Sequence, residues 1–548
     1  MKQAALENTS ITSGVNESRF LDHLRTMFTN STTVLAECLQ NGRRAGASSV
    51  DFDYDDATST LIITDNGCGI ADFRALITVA ESGWSQETID SERPFGIGFF
   101  SVSFAAETVV VESKGKQIVF SSEDLIAKRQ IAVRPSSFIG GTRISLRQCK
   151  LDAEKVAAAL ATFAKGFAIP VVWKGEELPR PHAQTALPGV MTPSGFIHVP
   201  GIHDQSKGGY EGLGFVYCQG LPVKVSGFTR HYGLDMYPVI HVDHLKYQPR
   251  MPDRDSLIDA DQAAKAFSKD IQEIWREHLV AKKAELSAVE FAESCWADAS
   301  KAGCLELMCD IPVLPSHQLA YVGEAPFQDC DWGSHMYSSK VHVTQADVAS
   351  GAIQLCSDVD YEGVGDEFAK LLFAQEAKLL FLSGRLPERH WATPYIRHLS
   401  EEKVLVGGRV LNTDHFSGAF ASGSVKLVEN LAVTMGGVTK MLTEPVALGS
   451  DAWGAGMTFL VPKGVRSAGH VLRQASTYTD GNDNYCETDY NIDVSDFDNL
   501  VAILAGESGT ETLEKCLIAS GAMHKTNLRN NTFLVRFDEE GNMTVESA

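Results

Sequence analysis

Glu37 and Asn41 stand four residues apart in Glu37-Cys38-Leu39-Gln40-Asn41. On a helix that spacing stacks both side chains on one face. A carboxylate so placed can polarise a water, and the neighbouring amide oxygen can ligate a hard cation. Mg²⁺ suits such a site, because it takes few protein ligands and fills its octahedron with waters and phosphates. The pair alone says little, since the same spacing arises by chance on solvated helices. A second acid, Asp65, ends the apolar run Leu61-Ile62-Ile63-Thr64 and opens Asp65-Asn66-Gly67-Cys68-Gly69-Ile70. An acid fixed at a strand end can accept a hydrogen bond from an exocyclic amine. Gly67 and Gly69 permit positive φ and the close backbone approach that a flat base requires. Phe95-Gly96-Ile97-Gly98-Phe99-Phe100-Ser101 sets two glycines before an apolar helix, where backbone N–H groups can cradle phosphate.

Positioning these groups takes a helix and several strand ends. Ser31 to Ala45 lacks Pro and repeats Val34, Leu35, Cys38 and Leu39 at helical spacing, with Asn30 or Ser31 able to cap it. Val50, Phe52 and Tyr54 alternate with Asp51, Asp53 and Asp55, the period of a half-buried strand whose aspartates form a solvated face. Residues 55–59 turn the chain into the Leu61 strand. Thr108 to Ser113 and Gln117 to Ser121 flank a Lys114-Gly115-Lys116 turn, and Ile144 and Leu146 continue the alternation. The expectation is an α+β fold: an antiparallel sheet with helices on one face.

The three stretches, in this order and spacing, resemble the GHKL ATPases: DNA gyrase B, the ninety-kilodalton heat-shock chaperones, histidine kinases and MutL. Met27-Phe28-Thr29-Asn30, Glu81-Ser82-Gly83, the Phe95–Ser101 stretch and Gly141-Thr142-Arg143-Ile144 are most similar to the chaperones' N-terminal domain. The resemblance covers roughly the first third of the chain. It implies an ATP-binding α/β sandwich with Glu37 as general base and Asn41 as Mg²⁺ ligand. Nucleotide contacts would come from Asn41, Asp65, Gly67, Gly69, Ile70, Gly96, Ile97, Gly98, Phe99 and Thr142. The polar stretch between Ala71 and Pro94 would be a mobile lid. Pro249-Arg250-Met251-Pro252-Asp253-Arg254-Asp255-Ser256-Leu257 resembles the place where the chaperones' middle domain carries its catalytic arginine. Arg254 would then reach the γ-phosphate, with Arg250 and Lys246 as fallbacks. The other reading pairs Arg254 with Asp253, Asp255 or another surface acid. One departure stands out: the family usually has an acid three places after the asparagine, and here Arg44 stands there. Arg43 and Arg44 either approach the phosphates or lid, or form a solvated basic helix end that favours the macrodipole.

The chain of 548 residues has 70 acidic and 48 basic side chains, a net charge of −22, which argues against nucleic acid as main partner. Met1 to Ser13 is polar, no apolar run is long enough for a bilayer, and eleven cysteines lie scattered. A cytoplasmic, soluble protein is expected. The domains are expected at 1–180 (GHKL-type ATP-binding), 181–288 (an α/β transducer-like middle domain) and 289–548 (an α/β region of unrecognised fold). Pro179, Pro181 and Pro188 mark the first boundary, and a helix from Asp259 to about Leu286 ends the second. Beyond it, Phe368 to Leu382 reads as helix, Val425 to Leu448 and Met457 to Val461 as strands, and Phe533 to Val545 as a hairpin. His241 and His244, the Cys295–Cys330 group with His317 and His335, and Asp480 to Asn484 lack metal-site spacing. Gly212-Leu213-Gly214 reads as a turn.

The leading function is an ATP-hydrolysing, chaperone-like conformational machine. In it ATP closes the lid and docks the middle domain, with a homodimer and an unknown protein client as partners. A histidine kinase would need a phosphoacceptor helix ahead of the ATP module. A DNA-topology or mismatch-repair ATPase would want a basic stripe. An ATP-gated switch without significant hydrolysis would not need Glu37.

Overall fold

The computed structural model describes residues 19–548 except 21–22, 24–27, 29, 80, 82, 93, 95, 205–213, 226–237, 252, 324–335, 358–364, 420, 444–445, 452–455, 466–467, 475–485 and 507. Met27, Thr29, Ser82, Phe95, Gly212, Leu213, Pro252, Cys330, His335 and the Asp480–Asn484 loop therefore lie outside the described residues. The chain forms two compact units, Met1–Ala281 with Ala297–Cys304, and Lys282–Trp296 with Leu305–Ala548.

The first unit is built on an eight-stranded sheet. Its strands are β1 (Val50–Asp55), β2 (Thr60–Asp65), β3 (Ala106–Ser113), β4 (Lys116–Phe120), β5 (Arg134–Pro135), β6 (Thr142–Cys149), β7 (Val171–Trp173) and β8 (Glu176–Glu177). They lie in the order β5-β4-β3-β6-β2-β1-β7-β8. Pairing is antiparallel except between β1 and β7, which run parallel, Val50 opposite Val171. The expectation of a wholly antiparallel sheet fails there, because the helix between β6 and β7 carries the chain back to start β7 in β1's direction. Along β1, Val50, Phe52 and Tyr54 are buried and the three aspartates exposed, so the acids are the solvated face.

Helix α1 (Thr33–Arg44) packs on the buried face with α4 (Phe99–Phe104) and α5 (Ala153–Ala164). One core joins Val34, Leu35 and Leu39 to Phe52, Leu61, Phe100, Leu146 and Leu160. Each large side chain fully buried there contributes about 1.5–3 kcal/mol. One expectation about α1 needs correction. Its N-cap is Thr32 rather than Asn30 or Ser31, and Asn30 Oδ1 accepts from the Thr32 N–H at 3.0 Å instead. The helix also has almost no solvated side: Glu37 and Gln40 are buried along with the apolar stripe. Between β2 and α4 lie two short helices, α2 (Arg74–Ile77) and α3 (Gln86–Glu92).

The rest of the first unit holds a five-stranded sheet of β9 (Val190–Thr192), β10 (Gly195–His198), β11 (Phe215–Cys218), β12 (Leu221–Pro222) and β13 (Val239–Val242), ordered β12-β11-β13-β10-β9. Helix α6 (Ala260–Glu285) buries Phe267, Ile271 and Trp275. Between them, residues 249–257 close into a loop: Pro249 bridges Leu257, and Arg250 N–H donates to Ser256 O at 2.7 Å.

The second unit is also mixed α/β. Its largest sheet joins Met336–Ser338, Leu319–Val322, Leu380–Leu382, Leu355–Ser357 and Ile396–His398, with helix Gly365–Ala377 in the adjoining core. The helix expected over 368–382 thus ends at Ala377. Lys378 turns left-handed at φ 54°, and Leu380–Leu382 continue as a strand. The strands expected at 425–448 and 457–461 are present, as is the terminal hairpin Phe533–Phe537 with Met543–Ser547. Among the described residues no helix is long and apolar enough to cross a membrane.

Candidate functional site

The ends of β2 and β6, one face of α1, residues 68–76 with Glu81, Gly83 and Trp84, and the α4 entrance line a cavity of about 350 Å³. Ten of the sequence-chosen residues line it: Glu37, Asn41, Asp65, Gly69, Ile70, Gly96, Gly98, Phe99, Thr142 and Arg254. Two do not. Ile97 is 6 % exposed and belongs to the core beneath. Gly67 supports the wall, its N–H donating to Asp65 Oδ1 at 2.9 Å. Positive φ is needed at Gly69 (68°) but not at Gly67, where a Cβ would instead fall 2.6 Å from that of Ala45.

At the strand end, Asp65 faces Thr142 across the β2–β6 ladder and is hydrogen-bonded by Thr142 and Gly67. Burial pushes its carboxyl above the ordinary carboxylate range, and those hydrogen bonds only partly offset the rise. An acceptor with little water around it, at the edge of an apolar pocket floored by Ile63 and Ile144, is suited to an amine donor.

At the other end, Glu37 is 3 % exposed, and a buried carboxylate needs a partner. Arg254, 217 positions away in sequence, supplies it: its Nε donates to Glu37 Oε1 at 2.7 Å. Arg254 is 8 % exposed, so the surface pairing with Asp253 or Asp255 is not what forms. Asp253 accepts from Thr33 Oγ1 at 2.7 Å and from the Asn30 N–H, pinning the loop to the start of α1. Asp255 lies 3.8 Å from Lys224. Arg254 itself sits at φ 56°, a left-handed conformation costing a non-glycine residue about 1–2 kcal/mol, of the kind that collects at functional sites. Gly98 completes this end, since a Cβ on it would fall 1.9 Å from Glu37 Oε2.

The basic end of α1 is not solvated. Arg43 makes a two-pronged contact with Glu92 of α3, Nη1 to Oε1 at 2.8 Å and Nη2 to Oε2. Gln219 Nε2 donates to the same carboxylate at 2.9 Å, and Gln40 Nε2 donates to Gln219 O at 2.8 Å. Arg44 lines the cavity. Arg250 and Lys246 do not line it, and Lys246 Nζ donates to Pro193 O. The two histidines near β13 go to separate acceptors, His241 Nε2 to His182 O and His244 Nε2 to Ser91 O.

The Asp253 anchor, the Glu92 clamp and the lining positions Trp84 and Lys114 were not legible in the sequence. The anchor and clamp join residues 220 and 49 positions apart, a distance at which no periodicity carries information.

Asn41 fits a Mg²⁺ ligand: it offers one neutral oxygen donor in the cavity, one turn from Glu37, with room for waters and phosphates. Residues 29–134 match a family model described as histidine kinase-, DNA gyrase B-, and HSP90-like ATPase. The N-terminal part of the chain thus carries a GHKL-type ATPase domain, for which ATP is the expected ligand. The protein as a whole is mixed α+β, this domain being followed by further α/β regions. A search of curated proteins finds no match to the chain.

Proposed function

We propose that the protein is a Mg²⁺-dependent ATPase working as a chaperone-like conformational machine. The observation that carries this reading is the buried Glu37–Arg254 pair inside the cavity that also holds Asn41 and Asp65. A pocket that only bound adenine nucleotide would not need a carboxylate at that depth, nor an arginine brought from residues 249–257 to meet it.

In this mechanism Asp65 accepts from the adenine amine, and Gly69 and Ile70 let the base lie against the chain. Asn41 would hold Mg²⁺, which would supply charge neutralisation to the phosphates. Arg254 passes from Glu37 to the γ-phosphate, where its planar fork grips two oxygens. Released from the arginine, Glu37 accepts a proton from the attacking water. Substrate thereby frees its own general base. The stretch 71–94 closes as a lid, and the Asp253 anchor keeps the 249–257 loop docked. We assign 1–180 to the ATP-binding domain, 181–288 to a transducer and 289–548 to a region that handles a protein client, in a cytoplasmic homodimer. A second reading, an ATP-gated switch with little hydrolysis, is favoured by one observation: Glu37 is held by Arg254 rather than poised for water.

The test is steady-state ATPase measurement beside mass determination with and without a non-hydrolysable ATP analogue. Turnover with analogue-dependent dimerisation supports the machine. Dimerisation without turnover supports the switch. Neither, with no ATP bound, overturns both.

A further inference from the structure

Arg44 has no counterpart in the mechanism above, yet its side chain is more deeply buried than that of Arg254. It lies on α1 one turn beyond Asn41 and two beyond Glu37, on the same face. Its side chain is 1 % exposed and lines the cavity. Nε lies 3.5 Å from Glu92 Oε2, yet Nε and Nη2 have no hydrogen-bond partner among the described residues. The two nearby carboxylates are already committed, Glu92 to Arg43 and Gln219, and Glu37 to Arg254. Of the three guanidiniums beside Glu37 and Glu92, Arg43 and Arg254 hydrogen-bond to a carboxylate, and Arg44 is the one whose Nε and Nη2 bond to neither. Burial and the neighbouring Arg254 lower its pKa to about 10, which still leaves it charged at neutral pH.

A buried cation with open donors is costly unless something completes it. The cavity has room for an anion, and a guanidinium edge matches a phosphate. The rise along α1 from Glu37 to Arg44 is roughly 10 Å. Arg44 therefore addresses a phosphate other than the one beside Glu37.

Resting on the ATP reading, we propose that Arg44 binds a non-transferred phosphate, α or β, of the nucleotide. Nucleotide affinity then depends less on the divalent cation than a site with an acid at this position would allow. The residue is a binding determinant for ATP and ADP alike and contributes nothing to adenosine.

The test is equilibrium binding of ATP, ADP and adenosine to the full chain, in Mg²⁺ and in EDTA, for the parent, Arg44→Gln and Arg44→Lys. The parent should bind ADP in EDTA. Arg44→Gln should lose about 10–100-fold for ATP and ADP in both buffers, the range of a charge-assisted hydrogen bond. Adenosine affinity should be unchanged, which also reports an intact pocket. Arg44→Lys, keeping charge without the fork, should fall between the two. If Arg44→Gln does not fold, the same pattern in Arg44→Lys supports the proposal and parent-like affinities overturn it. Parent-like ATP and ADP binding by Arg44→Gln, or an equal loss for adenosine, overturns it while leaving the ATP reading intact. A parent that binds none of the three overturns the ATP reading, and this proposal with it.

Discussion

Replacing Arg254 by alanine strips the cation from a carboxylate that is 3 % exposed. Removing one partner of a buried pair costs about 3–5 kcal/mol, because the remaining charge loses its compensation and gains no water. Relief of the left-handed backbone is small beside that, since alanine at φ 56° is strained too. Arg254→Ala should therefore destabilise the first unit by about 3–5 kcal/mol in denaturant unfolding. Removing the charge at both ends, as Glu37→Gln with Arg254→Gln, should cost less than the two singles combined, with a coupling of about 1–3 kcal/mol. In kinetics the pattern differs. A γ-phosphate contact matters for turnover more than for initial binding, so Arg254→Ala should hold ATP with near-parent affinity and lose most hydrolysis. Unfolding costs that add within about 0.5 kcal/mol would show that the pair does not form in solution. Parent-level turnover in Arg254→Ala would remove the arginine from the mechanism.

Asp65 should set base choice: guanine would present a carbonyl to it, so ATP should be favoured over GTP by roughly 2–4 kcal/mol, and Asp65→Asn should abolish ATP binding with the fold intact. Equal affinity for the two nucleotides would refute this. Because burial raises the Asp65 pKa in the folded protein, the group's stability contribution is fully present below the ordinary carboxylate pKa and declines as pH rises through the folded value. ATP binding needs the ionised acid and so runs the other way, weakening as pH falls through that raised value; titrations of parent and Asp65→Asn measure both trends. Asn41→Ala should lose the part of ATP affinity that depends on Mg²⁺, read as the difference between binding in Mg²⁺ and in EDTA. Gly98→Ala should cut turnover strongly, because its Cβ can enter only by displacing the Glu37 carboxylate, whereas adenosine binding at the Asp65 end should persist.

The Asp65 end of the cavity was legible because it is local: a strand, an acid at its end and glycines at fixed offsets all fall within Leu61 to Ile70. The same holds for the helical face that stacks Glu37 over Asn41. The core position of the Ile97 side chain was not legible, because a glycine-flanked apolar residue reads alike whether it faces a ligand or the core. The burial of α1 on nearly every side was not legible, since it arises from Asp253, Gln219 and Arg254, far along the chain. For the same reason Arg44 read equally well as a solvated helix end. Its environment depends on Glu92 already being engaged by Arg43 and Gln219. In the second unit the 368–382 pattern gave one helix where the chain makes a helix and a strand, because a continuous apolar run does not itself reveal the turn at Lys378.

The role of Glu37 as general base is tested by ATP hydrolysis by the parent and Glu37→Ala, purified in parallel, with Mg²⁺·ATP affinity measured on the same samples. Parent turnover is expected, with near-equal affinities and a loss of hydrolysis in Glu37→Ala of around two to four orders of magnitude. Parent-level hydrolysis by Glu37→Ala would contradict that role.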